Sequence, residues 1–136
     1  MPHIQIDYSA NVETAVADAR LLDAIHQAAV ASGIFPVWGV RTFARAVTQY
    51  RIGTGEPDNG FVNVTVRIAP GRNLALRQRI SRELFGAVLQ TMDLLFKTRR
   101  LGCQLEVTEF DADVSIYKNN LAVTDDPAEA VVCRAR

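Results

Sequence analysis

The chain has 136 residues, 49% of them apolar, and 15 basic side chains balance 15 acidic ones to a formal net charge of zero. That is enough apolar chain for the core of one domain, and it lacks the basic excess or stripe of a general nucleic-acid binder. No run approaches the roughly 18 uninterrupted apolar residues of a membrane span. Residues 1–20 lack the basic start and apolar run of a signal peptide and carry Asp7, Glu13 and Asp18, so a cytoplasmic protein with reduced thiols at Cys103 and Cys133 is expected.

In chain order, His3 to Tyr8 alternates at the period of a strand. Asn11 is placed to cap a helix with Glu13 in its first turn. Leu21, Leu22, Ile25, Ala28 and Ala29 mark the buried face of that helix, and Ser32-Gly33 ends it. A long strand is expected over 40–52, with Arg41, Phe43, Arg45, Val47 and Gln49 on one face. The turn-rich segment Gly53 to Gly60 follows as a loop. Phe61 to Ile68 has the clearest strand pattern: Val62, Val64, Val66 and Ile68 face one way, Asn63, Thr65 and Arg67 the other.

Pro70-Gly71-Arg72-Asn73 leads into a second helix over about 74–98, with Leu76, Ile80, Leu84, Val88, Met92 and Phe96 at helical spacing. Lys97, Arg99 and Arg100 suit its carboxyl end and Gly102 its exit. Cys103 to Phe110 is a last strand with Leu105 and Val107 inward. Residues 1–123 thus make one domain, and 124–136 a tail, poorly ordered or packed on a neighbour. The order is strand, helix, strand, twice over. The expected fold is α/β (α+β): a doubled βαβ unit whose four-stranded sheet carries both helices on one face. Apolar residues on the other face, Phe43 and Val47, call for a partner surface.

No metal constellation is present: His3 and His26 lack ligand spacing, and they read as a strand residue and a solvated helix residue. Gly53, Gly55 and Gly60 match no nucleotide fingerprint. What remains is Met1-Pro2 directly ahead of a strand, and arginines at element ends. Removal of Met1 leaves the secondary amine of Pro2 as a base with a reference pKa of about 8, lowered by burial and by neighbouring Arg charge. Proton abstraction beside a carbonyl needs such a base. Pro2 is equally a residue tolerated at a strand start. Arg41 opens a strand and Arg72 precedes a helix amino terminus, where free N–H groups favour an anion and a guanidinium adds bidentate carboxylate binding. Arg45, Arg51 and Arg67 read as surface or interface charges. Phe35, Trp38 and Phe43 suit core packing or an apolar wall beside the amine.

Three segments carry a resemblance: Met-Pro-His-Ile at the start, Ser32-Gly-Ile-Phe-Pro-Val-Trp-Gly-Val-Arg41, and Phe61-Val-Asn-Val-Thr-Val-Arg-Ile-Ala-Pro-Gly-Arg72. Together with Leu76 to Leu89 and Lys118-Asn-Asn120 they resemble the 5-carboxymethyl-2-hydroxymuconate isomerase family of the tautomerase superfamily, over about residues 1–123. Trp38, the loop from Gly53 to Gly60 and the tail depart from the family pattern. The resemblance implies a homotrimer packed sheet-inward into a barrel and Pro2 as catalytic base, with Arg41 and Arg72 as the substrate-binding pair. The expected reaction converts a 2-hydroxydienoate di- or tricarboxylate to its conjugated 2-oxo isomer, in homoprotocatechuate degradation. It needs no metal or organic cofactor, and the charge balance and the lack of a long apolar run argue against a nucleic-acid or membrane partner. The alternatives are a tautomerase of another enol acid, such as a phenylpyruvate-like one, and a non-catalytic trimeric ligand-binding protein of the same fold.

Overall fold

The computed structural model describes residues 1–121, so the tail expected at 124–136 lies outside the described residues. Four strands, β1 (His3–Ser9), β2 (Arg41–Val47), β3 (Asn59–Ile68) and β4 (Arg100–Glu109), form one sheet in the order β2-β1-β3-β4. The outer pairs, β1 with β2 and β3 with β4, are parallel, and the central pair β1–β3 is antiparallel. Each parallel pair is joined through helix: α1 (Glu13–Asp18) and α2 (Leu21–Ala31) in the first half, α3 (Leu74–Thr91) and α4 (Asp93–Thr98) in the second.

Strand alternation sorts the two faces. Ile4, Ile6, Val62, Val64, Val66 and Ile68 point to one side and form a single core with Leu21, Ile25 and Ala29 of α2 and Ile80, Leu84 and Val88 of α3. Each such aliphatic side chain removed from water contributes about 1.5–3 kcal/mol. Both helices therefore pack on the same face, as the doubled βαβ pattern implies. The opposite face is mainly polar: Gln5, Asp7, Arg45, Asn63, Thr65, Arg67, Gln104 and Glu106 share it. There the Asp7 carboxylate accepts from Gln5 Nε2 at 2.6 Å and from Arg45 Nε at 3.1 Å. Phe43, 41% exposed, stands in that polar lattice, so the face is not the apolar surface that Phe43 and Val47 suggest.

Several boundaries differ from the sequence expectation, each for a tertiary reason. The strand expected over 40–52 stops at Val47 because its neighbour β1 ends at the paired residue, Ser9, and beyond it an edge strand has no ladder to join. The helix expected from Asn11 breaks into α1 and α2 at Arg20, whose φ is 55°. Asn11 does not cap it; its Nδ2 donates to the carbonyls of Pro57 (3.1 Å) and Asn59 (2.8 Å), tying down the loop before β3. Beside it the buried Ser9 Oγ accepts from Phe61 N–H at 3.0 Å, and a side chain at Gly60 would meet Val12 Cγ1 at 2.8 Å.

The second helix breaks at Met92, so Leu95 rather than Phe96 turns inward, and Gly102 lies within β4 rather than at a helix exit. Its start behaves as expected: Asn73 Oδ1 accepts from Leu76 N–H at 2.9 Å, a cap worth about 1 kcal/mol. No helix among the described residues is long and apolar enough to cross a membrane.

Candidate functional site

Because β1 and β2 run parallel to each other and antiparallel to β3 and β4, the starts of the first two strands and the ends of the last two meet at one end of the sheet. Pro2 stands there, ahead of β1, where a missing N–H removes no ladder bond. It is buried, and its carbonyl accepts from Arg41 N–H at 3.1 Å. Next to it opens a cavity of about 220 Å³. Met1 and the polar side chains of His3, Arg41 and Arg67 line it. Ala69 and Phe110 close its floor, and Ser115, Ile116 and Tyr117 approach from the chain after β4.

The arginines in this cavity are held by register. His3 pairs with Arg41 across β1–β2 and with Arg67 across β1–β3, so the imidazole stands between two guanidinium groups on one face. Arg41 Nη1 lies 3.1 Å from Met1 Sδ and 3.2 Å from His3 Nε2. The Arg67 guanidinium lies 5.8 Å from the centre of the Phe110 ring, and Phe110 is fixed by its N–H donating to the Ile68 carbonyl at 3.0 Å. Among the described residues no carboxylate pairs with Arg41 or Arg67. The His3 pKa is lowered, first by burial, then by Arg41, the amino terminus and Arg67.

Met1 is informative. It is the substituent on the Pro2 nitrogen, it lines the cavity, and its sulfur reaches the Arg41 guanidinium. Its carbonyl carbon, Cα, Cβ and Cγ thus trace a path from that nitrogen to a cation. Gly39 makes room for it: a Cβ there would lie 3.3 Å from Met1 Cγ.

Arg72 is not part of this wall. Its Nη1 donates at 3.3 Å to the carbonyl of Ala69, itself a cavity residue, while its guanidinium stacks 5.2 Å from the centre of the buried Phe35 ring. Burial lowers its pKa and Glu109 opposes that shift, so the cation persists. It stands around the turn of Ala69 to Gly71, just before the amino terminus of α3. The structure therefore brings Pro2, His3, Arg41 and Arg67 together and leaves Arg72 one turn away. Phe35 and Trp38 are buried and Phe43 lies on the polar sheet face, so none of the three walls the cavity.

Sequence reasoning missed three participants, Arg67, Phe110 and Tyr117. Arg67 reads as a surface or interface charge and is indeed exposed, but the antiparallel register sets it beside His3. Phe110 and Tyr117 come from the end of β4 and beyond, and no local pattern in the sequence links them to residue 2. His26 is not merely solvated: its Nδ1 lies 2.9 Å from Thr42 Oγ1 on β2. No three His, Cys, Asp or Glu side chains among the described residues are grouped to hold a metal.

Comparison with known proteins gives a consistent picture. A family model described as 5-carboxymethyl-2-hydroxymuconate isomerase matches residues 2–124. The 5-carboxymethyl-2-hydroxymuconate Delta-isomerase of Escherichia coli is 27% identical over 121 residues, covering 89% of this chain and 96% of that protein. The crystal structure of a 5-carboxymethyl-2-hydroxymuconate isomerase from Deinococcus radiodurans R1 is 27% identical, covers 88% of this chain and 90% of its own, and superposes with a TM-score of 0.81. At the level of fold alone, a Q0 fused 4-OT wild-type symmetric trimer is 22% identical with a TM-score of 0.57, over 89% of this chain and 94% of that one.

Proposed function

The chain belongs to the 5-carboxymethyl-2-hydroxymuconate isomerase family, and from that premise we propose that it isomerises a 2-hydroxydienoate carrying two or three carboxylates, with the amine of Pro2 as the proton carrier. Removal of Met1 frees a secondary amine in a buried position beside Arg41. Burial and nearby positive charge both disfavour an ammonium there, so the amine is available as a base near neutral pH. Neutral Pro2 takes the proton of the 2-hydroxyl group. The enol oxygen becomes the 2-oxo group, both double bonds shift by one position, and the ammonium returns a proton to the far carbon of the diene. One proton leaves oxygen and one arrives at carbon, so the reaction needs no redox partner.

The observation that carries this reading is the course of Met1. A chain starting at the Pro2 nitrogen and running through the cavity ends on the Arg41 guanidinium. A dienol acid bound in its place sets the reacting atoms against the amine and its carboxylate on Arg41, where the guanidinium supports charge developing on the adjacent 2-oxygen. Arg72 stands outside the cavity wall, around the Ala69 turn at the start of α3, and in this reading a substrate long enough to pass Ala69 sets its second carboxylate there. The working form in this reading is a homotrimer. The segment after β4 favours it: Ile116, which is 97% exposed, and Val114 extend apolar surface from the cavity rim toward solvent.

Intact-mass spectrometry and an ultraviolet assay on a panel of enols test the proposal together. The mature protein should lack Met1 and should turn over di- and tricarboxylate dienols faster than monocarboxylate enols of similar size. Equal or better turnover of a phenylpyruvate-type enol assigns the other tautomerase activity, and no turnover by protein shown to have a free Pro2 favours a ligand-binding role.

A further inference from the structure

We propose that His3 is a positioning residue: its neutral ring, carrying the proton on Nδ1, accepts a hydrogen bond from Arg41 and so fixes the guanidinium that receives the substrate carboxylate. This rests on the carboxylate-binding role of Arg41 given above and adds a residue to it.

Donor and acceptor chemistry decides the tautomer. A guanidinium has N–H donors and no acceptor. Arg41 Nη1 lies 3.2 Å from His3 Nε2, so the contact is bonding only if Nε2 presents its lone pair, which puts the ring proton on Nδ1. The protonated ring has two donors and no lone pair, and would turn this contact into a repulsion. Among the described residues the charges that act on His3 do so in the same sense. Arg41 faces it from β2, Arg67 from β3 and, while Met1 is retained, the Met1 amine from just ahead of β1; Phe110, directly after β4, is uncharged. Burial comes first among the causes that lower the His3 pKa, then Arg41, the Met1 amine where it is retained, and Arg67. The imidazole is thus a neutral spacer that keeps two guanidinium groups apart and orients one of them.

Maturation raises the importance of the contact. The other side-chain acceptor for Arg41 among the described residues is Met1 Sδ, a weak one. With Met1 gone, His3 Nε2 remains as the side-chain acceptor for Arg41 among the described residues, and the substrate carboxylate takes the place of the sulfur. The edges of the guanidinium are then divided between a fixed imidazole and an incoming anion, which pre-organises Arg41 before binding.

There is also a pH consequence, and its sign follows from the direction of the shift. His3 is easier to protonate in the unfolded chain than in the folded one. As pH falls below about 6.5 the unfolded state takes up the proton first, so this group makes stability fall with acidification. Once the folded-state ring does protonate, Arg41 loses its acceptor and KM should rise.

The experiment joins a spectroscopic and a kinetic arm on the mature full-length protein. Nitrogen-15 correlation spectra at pH 7.5 without substrate should show His3 with a protonated Nδ1 and an unprotonated Nε2. A His3 ring protonated on Nε2 overturns the proposal whatever the kinetics. With 5-carboxymethyl-2-hydroxymuconate as substrate, His3→Ala should raise KM about tenfold, the scale of one hydrogen bond to a charged group, and leave kcat within about threefold. His3→Gln, whose amide oxygen can accept from Arg41, should recover most of the loss and remove the acid-side rise in KM. In an Arg41→Ala background His3→Ala should have no further effect. If Arg41→Ala raises KM but the two substitutions act additively, the positioning role is wrong and the carboxylate role of Arg41 stands. If Arg41→Ala leaves KM unchanged, the carboxylate reading falls and this proposal falls with it.

Discussion

Replacing Arg41 with Ala is the most direct probe of the site, and the structure sets its expected size. Arg41 is half-buried, its backbone N–H is held by the Pro2 carbonyl at 3.1 Å, and no carboxylate among the described residues pairs with it. Substrate binding therefore breaks no ion pair that Arg41 makes among the described residues, and the new pair forms against a partly desolvated wall. Truncating one partner of a buried charge pair costs about 2–5 kcal/mol. The cavity opens to solvent beside the exposed Ile116, which argues for the lower half of that range, about 2–3 kcal/mol. At about 1.4 kcal/mol per tenfold this is a loss of about 30- to 150-fold in kcat/KM. Arg41→Lys should recover little, since an ammonium lacks the planar fork that meets a carboxylate edge-on. Arg45, four residues along on the same strand face, is the control: its side chain is largely exposed in its pair with Asp7, so Arg45→Ala should change kcat/KM by less than about threefold. The assay is the ultraviolet change on conversion of the dienol to the enone, with circular dichroism to show that each variant is folded. Arg41→Ala at near wild-type kcat/KM on the best substrate, with the protein folded, would refute the assignment of this cavity as the active site.

Other outcomes follow from particular contacts. Retaining Met1 or adding an amino-terminal tag turns the Pro2 amine into a non-basic amide and should abolish turnover, whereas a carboxyl-terminal tag should be tolerated. In the untagged protein kcat/KM should rise with pH through an inflection below about 8, as a lowered amine pKa requires. Gly60→Ala should cost about 1–3 kcal/mol in urea unfolding, because the new Cβ meets the buried, branched Val12 Cγ1 at 2.8 Å and neither strand nor turn can give way freely. Burial pushes the Cys103 thiol up to about 11, so at pH 8 only about one molecule in a thousand is thiolate. Peptide mapping after brief iodoacetamide treatment of the folded protein should find Cys103 unmodified, and rapid labelling would contradict its placement against the core.

Much of this protein is legible in one dimension because its physics is local or periodic. Val62, Val64, Val66 and Ile68 alternate with polar residues, and a strand with one buried face has no other way to arrange them. Leu21, Ile25 and Ala29, like Ile80, Leu84 and Val88, recur at the helical period and point inward because that period puts them on one stripe. Asn73 caps α3 through a bond to a residue three places on. Met1-Pro2 stands out because a terminal secondary amine has chemistry independent of its surroundings, whereas Arg41 is set apart from the other arginines by the family resemblance.

What the tertiary structure decided depends on contacts between residues far apart in sequence. The strand expected to run to residue 52 ends at Val47 because β1 ends at Ser9, and an edge strand lasts only as long as its neighbour. Asn11 has every property of a helix cap, yet its amide serves carbonyls at Pro57 and Asn59 that no local reading could offer it. Leu95 replaces Phe96 in the core because the helix breaks at Met92 and the stripe rotates. The composition of the cavity is the largest such effect. Arg67 belongs beside His3 only because β3 runs antiparallel to β1 in one register, and a shift by one residue would turn it to the opposite face. The same register sets His3 between Arg41 and Arg67, which lowers its pKa.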